Sequence, residues 1–119
     1  MKVRLHDDSL RLRLSPAEVA ALGRGEAVTS TTPLGPGAAL AVAVAVDDVR
    51  QTTAAGSGAG VTVTLPRSDA VGWAEDDREG LYAEQDAGGG RTLRIAVEKD
   101  YACGHRAPAD AATFARPDA

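Results

Sequence analysis

Apolar and polar residues alternate along most of this 119-residue chain, and the alternation mostly has period two. That is the period of a β-strand with one buried face. KVRLH (2–6) and SLRLRLS (9–15) alternate in this way, with Asp7-Asp8 as a two-residue turn between them. Leu10, Leu12 and Leu14 share one face of the second strand, and Arg11 and Arg13 share the other. The period then changes. In SPAEVAALGRG, Ser15 can act as N-cap, Pro16 takes the first helical position and Glu18 stands three residues after the cap. Those residues form a capping box, and Leu14 with Val19 supplies the hydrophobic staple. The spacing predicts a short helix ended by Gly23 or Gly25.

Strand patterns resume at 25–32, 38–46, 49–55 and 61–66, followed by a second short helix over 67–74. Two more strands follow at 80–85 and 91–100. Pro33 to Gly37, GSGAG (56–60) and GGG (88–90) read as loops, and EDDRE (75–79) as a solvated connection. Neither glycine stretch is a phosphate loop. Both lack the Gly-Lys-Ser/Thr ending and a helix directly after it.

The two halves can be laid over each other. SLRLRLSPAEVAAL matches AGVTVTLPRSDAVGW, AVTSTT matches GLYAEQ, and AALAVAVAV matches RTLRIAVEK. Leu12 then falls on Val63, Leu14 on Leu65, Leu22 on Trp73, Leu40 on Leu93, and Val44 on Val97. Each half reads strand, strand, helix, strand, strand. One such unit cannot cover its own apolar sheet face, whereas two can cover each other. The expected fold is α+β, with about eight mostly antiparallel strands and two short helices. A pseudo-twofold duplication of a ββαββ unit would arrange them as a barrel or as two packed sheets. The expected domain is 1–103, with halves 1–48 and 49–103, followed by a surface-wrapping tail at 104–119 anchored by Phe114.

Composition narrows the function classes. The net charge is −4, which disfavours a general nucleic-acid binder needing a basic surface. The aromatics are too few and too scattered for a base-stacking platform. No apolar run approaches the length of a membrane span, and the first residues lack the apolar core of a signal peptide. A cytoplasmic protein without a cofactor is the expectation. An unpaired apolar edge, such as Ala38 to Val46, would favour a homodimer.

The motifs LRLRLSPAEV (10–19), LPRSDAVGW (65–73), EKDYAC (98–103) and FARP (114–117) resemble those of a family of small uncharacterised bacterial proteins. The resemblance spans nearly the whole chain and is most specific at EKDYAC. It implies a complete small protein and carries no activity with it.

Two places could carry chemistry. Cys103 and His105 form a C-x-H pair, but a structural zinc site needs four ligands, and a catalytic thiolate needs a base and an electropositive pocket. A strand end held by ion pairs accounts for this stretch better. The other place is the polar strand faces. Lys2, Arg4, Arg11, Arg13 and Arg94, joined by Glu84, Glu98 and Lys99, could gather on one face able to hold an anion through bidentate guanidinium contacts. A closed barrel would turn that face into an arginine-lined tunnel; an open sheet would leave it outward. Arg4, Arg11, Arg13, Arg94, Glu98 and Lys99 are therefore the candidate ligand-binding residues. The expected function is a non-enzymatic module that binds a protein or a small anionic ligand. The alternative is an enzyme that uses the arginine face on a phosphate-bearing substrate.

Overall fold

In the computed structural model, which describes residues 1–102 and 112–115, the strands form two open sheets and not a barrel. The elements are β1 (Lys2–His6), β2 (Ser9–Leu14), α1 (Pro16–Gly23), β3 (Val28–Gly35), β4 (Ala38–Asp47), β5 (Thr53–Ser57), β6 (Gly60–Pro66), α2 (Arg67–Glu75), β7 (Gly80–Gly88) and β8 (Arg91–Lys99). One sheet has the order β1-β2-β8-β7 and the other β3-β4-β6-β5. We call them sheet A and sheet B. The outer pairs of each sheet are antiparallel hairpins, and the central pairs, β2 with β8 and β4 with β6, are parallel.

Each hairpin closes through two turn residues: Asp7-Asp8, Pro36-Gly37, Gly58-Ala59 and Gly89-Gly90. Gly89 and Gly90 have φ of 60° and 76°, the left-handed pair that matches strand twist in a tight hairpin.

The two sheets have the same plan. Advancing each strand of sheet A by four, cyclically, gives β5-β6-β4-β3, the order of sheet B. The registers agree as well. Leu12 pairs with Val97 across the parallel seam of sheet A, and Val63 pairs with Val44 across that of sheet B. Each sheet therefore contains one hairpin from each half of the chain.

The inward residues form one continuous core. Leu12, Leu14, Val97, Val44, Val63 and Leu65 are fully buried, together with Leu22, Ala70 and Trp73 from the helices. Each large aliphatic side chain buried in this way contributes about 1.5–3 kcal/mol. The helices follow β2 and β6 directly and close the end where those strands finish. Helix α1 begins as expected: Ser15 Oγ accepts from the Glu18 N–H at 3.3 Å, and Glu18 Oε1 accepts from the Ser15 N–H at 2.9 Å. The helices meet closely at Gly23, where an added Cβ would stand 2.6 Å from Ala74 Cβ.

Several expectations change in detail. Strand β3 continues through Pro33 to Gly35 instead of ending before the proline. It is an edge strand with a register shift between Pro33 and Gly35, a place where a residue without an N–H is tolerated. Strand β5 runs later than expected, to Ser57. Ala38 to Val46 lies in a central strand, not an edge, so the ground for a homodimer through that stretch disappears. Phe114 packs against the core and exchanges backbone bonds with the end of β8: its N–H donates to Asp100 O at 2.7 Å, and its carbonyl accepts from the Ala102 N–H at 2.8 Å.

Candidate anion-binding face

The outer surface of sheet A is a grid set by strand register. Reading β1, β2, β8, β7, its rows are Lys2–Arg13–Glu98–Gly80, Arg4–Arg11–Ala96–Tyr82 and His6–Ser9–Arg94–Glu84. Period-two alternation sends these residues outward because their neighbours Leu10, Leu12, Ile95 and Val97 are committed to the core. Five of the six candidate binding residues, Arg4, Arg11, Arg13, Arg94 and Glu98, thus share one face. Arg4, Arg11, Arg94, Tyr82 and Glu84 line a depression of about 540 Å³, with Ala96 among its lining residues.

The centre of this face is internally braced. Glu98 is 8% exposed. Its Oε1 pairs with Arg11 Nε at 3.2 Å, and its Oε2 accepts from the Tyr82 hydroxyl at 2.8 Å. Burial of the phenol end, and then the hydrogen bond to Glu98, raise the pKa of Tyr82 above its ordinary value, which keeps it a donor. Tyr82 as a whole residue is 59% exposed. Gly80 makes the arrangement possible: an added Cβ there would lie 2.7 Å from Val97 O, 2.9 Å from Glu98 Cγ and 3.0 Å from Tyr82 Oη. Around this brace, Arg4, Arg13 and Arg94 have no ion-pair partner among the described residues. Lys2 pairs with the buried Asp100 at 2.8 Å.

Lys99 does not belong to this face. It shares strand parity with Ile95 and Val97, so it turns inward and is 6% exposed. Its Nζ donates to Asp76 O at 2.5 Å at the end of α2, and lies 5.9 Å from the Trp73 ring and 5.4 Å from the Phe114 ring. Burial lowers its pKa, opposed by Asp76 and Asp77. Its position suits packing at the helix end, far from a ligand on the outer face. Tyr82 is the residue that sequence reasoning missed. The signal was present: the GGG turn fixes the β7–β8 register and places Tyr82 beside Ala96.

The tunnel that a closed barrel would have made does not form, because β1 and β7 are free edges of sheet A. Cys103 and His105 lie outside the described residues. Among the described residues there is no group of three or more His, Cys, Asp or Glu placed to hold a metal ion, and no helix is long and apolar enough to cross a membrane.

The corresponding face of sheet B provides the comparison within the molecule. Its outward rows are Thr53–Thr64–Ala45, Ala55–Thr62–Ala43–Thr29 and Ser57–Gly60–Ala41–Thr31. Arg4 corresponds to Ala55, Arg11 to Thr62, Arg13 to Thr64 and Arg94 to Ala41. The same topology is therefore built with no charge in these three rows, Asp47 at the end of β4 being the one charged residue of outward parity in that strand.

No curated protein and no solved structure matches this chain. A family model matches residues 1–118, and the chain belongs to that family of unknown function (DUF7009).

Proposed function

We propose that this protein is a non-enzymatic binding module that holds an anionic group on the outer face of sheet A. One observation carries the reading: sheet B builds the same strand order and register with alanine and threonine where sheet A has arginine. The fold does not need the arginines, and like charges on neighbouring strands cost stability, so their clustering calls for a ligand. We read the halves as copies of one ββαββ unit, with the charged face acquired by one sheet only. Arg4 and Arg94 flank the depression and offer planar donors suited to phosphate or carboxylate oxygens. Glu98, the buried carboxylate of the face, has both oxygens engaged by Arg11 and Tyr82. It serves as a brace for those two side chains and not as a proton acceptor for a substrate, which favours binding over catalysis.

The test is calorimetric titration with inorganic pyrophosphate as probe. Saturable binding is expected, weakened roughly tenfold or more in Arg4→Ala and Arg94→Ala, the loss expected for a charge-assisted hydrogen bond. It should be unchanged in Arg67→Ala, which removes a cation paired with Asp48 at the start of α2. Binding should also weaken with added salt. Equal affinity in the wild type and in the Arg4 and Arg94 variants would overturn the proposal.

A further inference from the structure

The two long seams where the sheets come together are not alike. On one side, Gln85 of β7 reaches across to β5: its Nε2 donates to Ala54 O at 2.8 Å, and its Oε1 accepts from the Ala54 N–H at 2.8 Å. This amide occupies the backbone groups of Ala54 and ties the sheets together. On the other side, β1 and β3 are the corresponding edges of the two sheets. Thr32 pairs with Leu40 as Gln85 pairs with Leu93, and Val3 pairs with Leu12 as Ala54 pairs with Val63. Thr32 therefore stands where the clamping glutamine would be, and its side chain is too short to repeat the clamp. Val3, Leu5, Leu34 and Leu40 are left 39%, 67%, 64% and 38% exposed. They line an apolar cleft of about 520 Å³ whose other walls come from Leu10, Leu93 and the β5–β6 turn, Ser57 to Gly60.

Strand β1 borders that cleft, and all five of its residues are exposed. The other edges are interrupted: β3 by Pro33 and a register shift, β5 by Gly56, and β7 by a register shift between Asp86 and Gly88. Strand β1 has no proline, glycine or bulge. Its side chains alternate, with Lys2, Arg4 and His6 on the charged outer face and Val3 and Leu5 towards the cleft.

We infer that β1 receives an extended peptide segment of a partner protein, one that alternates acidic and apolar residues and adds to sheet A as a fifth strand. Three features select this occupant. The register turns the N–H and C=O groups of Val3 and Leu5 away from β2 along the edge of β1, and such groups call for a backbone, which an acyl chain cannot supply. Period two requires the partner's side chains to alternate between the cleft and the arginine face. The charge on that face requires the outward ones to be acidic. A second copy of β1 does not fit, because antiparallel self-pairing would set cationic residues against cationic residues. The inference rests on the anion-binding reading of the face and adds the class of partner that supplies the anion.

The experiment uses the full chain and a short synthetic peptide alternating glutamate with valine, followed by fluorescence anisotropy and amide exchange. Saturable binding is expected, with slowed exchange at Val3 and Leu5, whose N–H groups face the edge, and no change along β7. Leu5→Asp and Arg4→Ala should each weaken binding by about two- to fivefold, the scale of one cross-strand contact. A peptide of the same composition with its glutamates and valines in separate blocks, and one with alternate amides N-methylated, should both bind at least about fivefold more weakly. Equal binding of all three peptides would overturn the strand-addition inference. If pyrophosphate still bound through Arg94 in that case, the anion-binding reading would stand without it. Protection of β1 that depends on protein concentration in the absence of peptide would overturn the inference in favour of a second copy.

Discussion

Gln85 offers a quantitative check on how the two sheets are held together. Its amide makes two hydrogen bonds to the backbone of Ala54, each 2.8 Å long and part-buried. A net hydrogen bond of this kind contributes about 0.5–1.5 kcal/mol, so Gln85→Ala should cost about 1–3 kcal/mol. A urea slope of roughly 1.5 kcal/mol per M for a chain of this size turns that into a midpoint lowered by about 0.7–2 M. Gln85→Glu separates the two bonds. It keeps an acceptor for the Ala54 N–H but loses the donor to Ala54 O, and it should fall between wild type and alanine. Thr32→Gln tests the same reasoning in the opposite direction. If the β1/β3 seam has the geometry of its counterpart, the new amide reaches the backbone of Val3 and raises the midpoint by a similar amount. Chemical denaturation followed by Trp73 fluorescence and by far-ultraviolet dichroism would give both values, with agreement between probes as the test of two-state behaviour. A Gln85→Ala variant within about 0.5 kcal/mol of wild type would refute the clamp. A Thr32→Gln variant with no gain would refute the correspondence of the seams.

Two further predictions come from close approaches in the fold. Gly60 begins β6 where an added Cβ would lie 1.8 Å from the Ala41 carbonyl oxygen. No flexible side chain can give way there, so Gly60→Ala should cost about 2 kcal/mol or more, read as a lower thermal midpoint. Tyr82→Phe removes the donor to Glu98 and should cost about 1 kcal/mol or less near neutral pH. Because the folded pKa of Tyr82 is raised, its stabilisation is complete below the ordinary phenol value of 10.0 and is lost as pH rises towards the higher folded value. The stability gap between wild type and Tyr82→Phe should therefore narrow as pH climbs past that point. A gap that stays constant would separate Tyr82 from that ionisation.

Much of this architecture can be read from residue order, and the exceptions have physical reasons. Period-two alternation exposes β2, β4, β6 and β8 directly because one face of each is committed to the core, and it shows β1 as well although all five of its residues are exposed. The capping residues Ser15 and Glu18 mark α1 to the residue. Laying one half over the other puts Leu12 with Val63 and Leu40 with Leu93, and the register places each pair at corresponding points of the two sheets. The pattern does not show which strands meet at the parallel seams. The pairing of β2 with β8 joins residues such as Leu12 and Val97, and no turn connects them. Pro33 and Gly56 are legible as breakers, yet edge positions allow both to stay within strands. Leu40 has the parity of a core residue but is 38% exposed, because the cleft opens beside it. Lys99 was legible too: it has the parity of Ile95 and Val97, and grouping it with the outward arginines by charge overlooks that alternation.

The contrast between the two outer faces bears on how this scaffold acquires function. The inward positions of both sheets are constrained alike, since each must fill the same core with Leu, Val and Ile at matching heights. The outward positions carry no such requirement, and sheet B shows that small uncharged residues satisfy them. Placing Arg4 opposite Arg11 and Lys2 opposite Arg13 sets like charges near one another, while Glu98 pairs with Arg11 and stands opposite Arg13, and Glu84 stands opposite Arg94. The remaining repulsion is a cost that folding does not recover, whereas an anionic partner would. The same logic applies at the seams: the Gln85 amide secures one side, and the other keeps four aliphatic side chains exposed beside a regular, cationic edge. Both departures from symmetry fall on β1, which borders the arginine face on one side and the apolar cleft on the other. Strand β1 is thus the place where a single partner segment would neutralise the charge and cover the apolar surface at once.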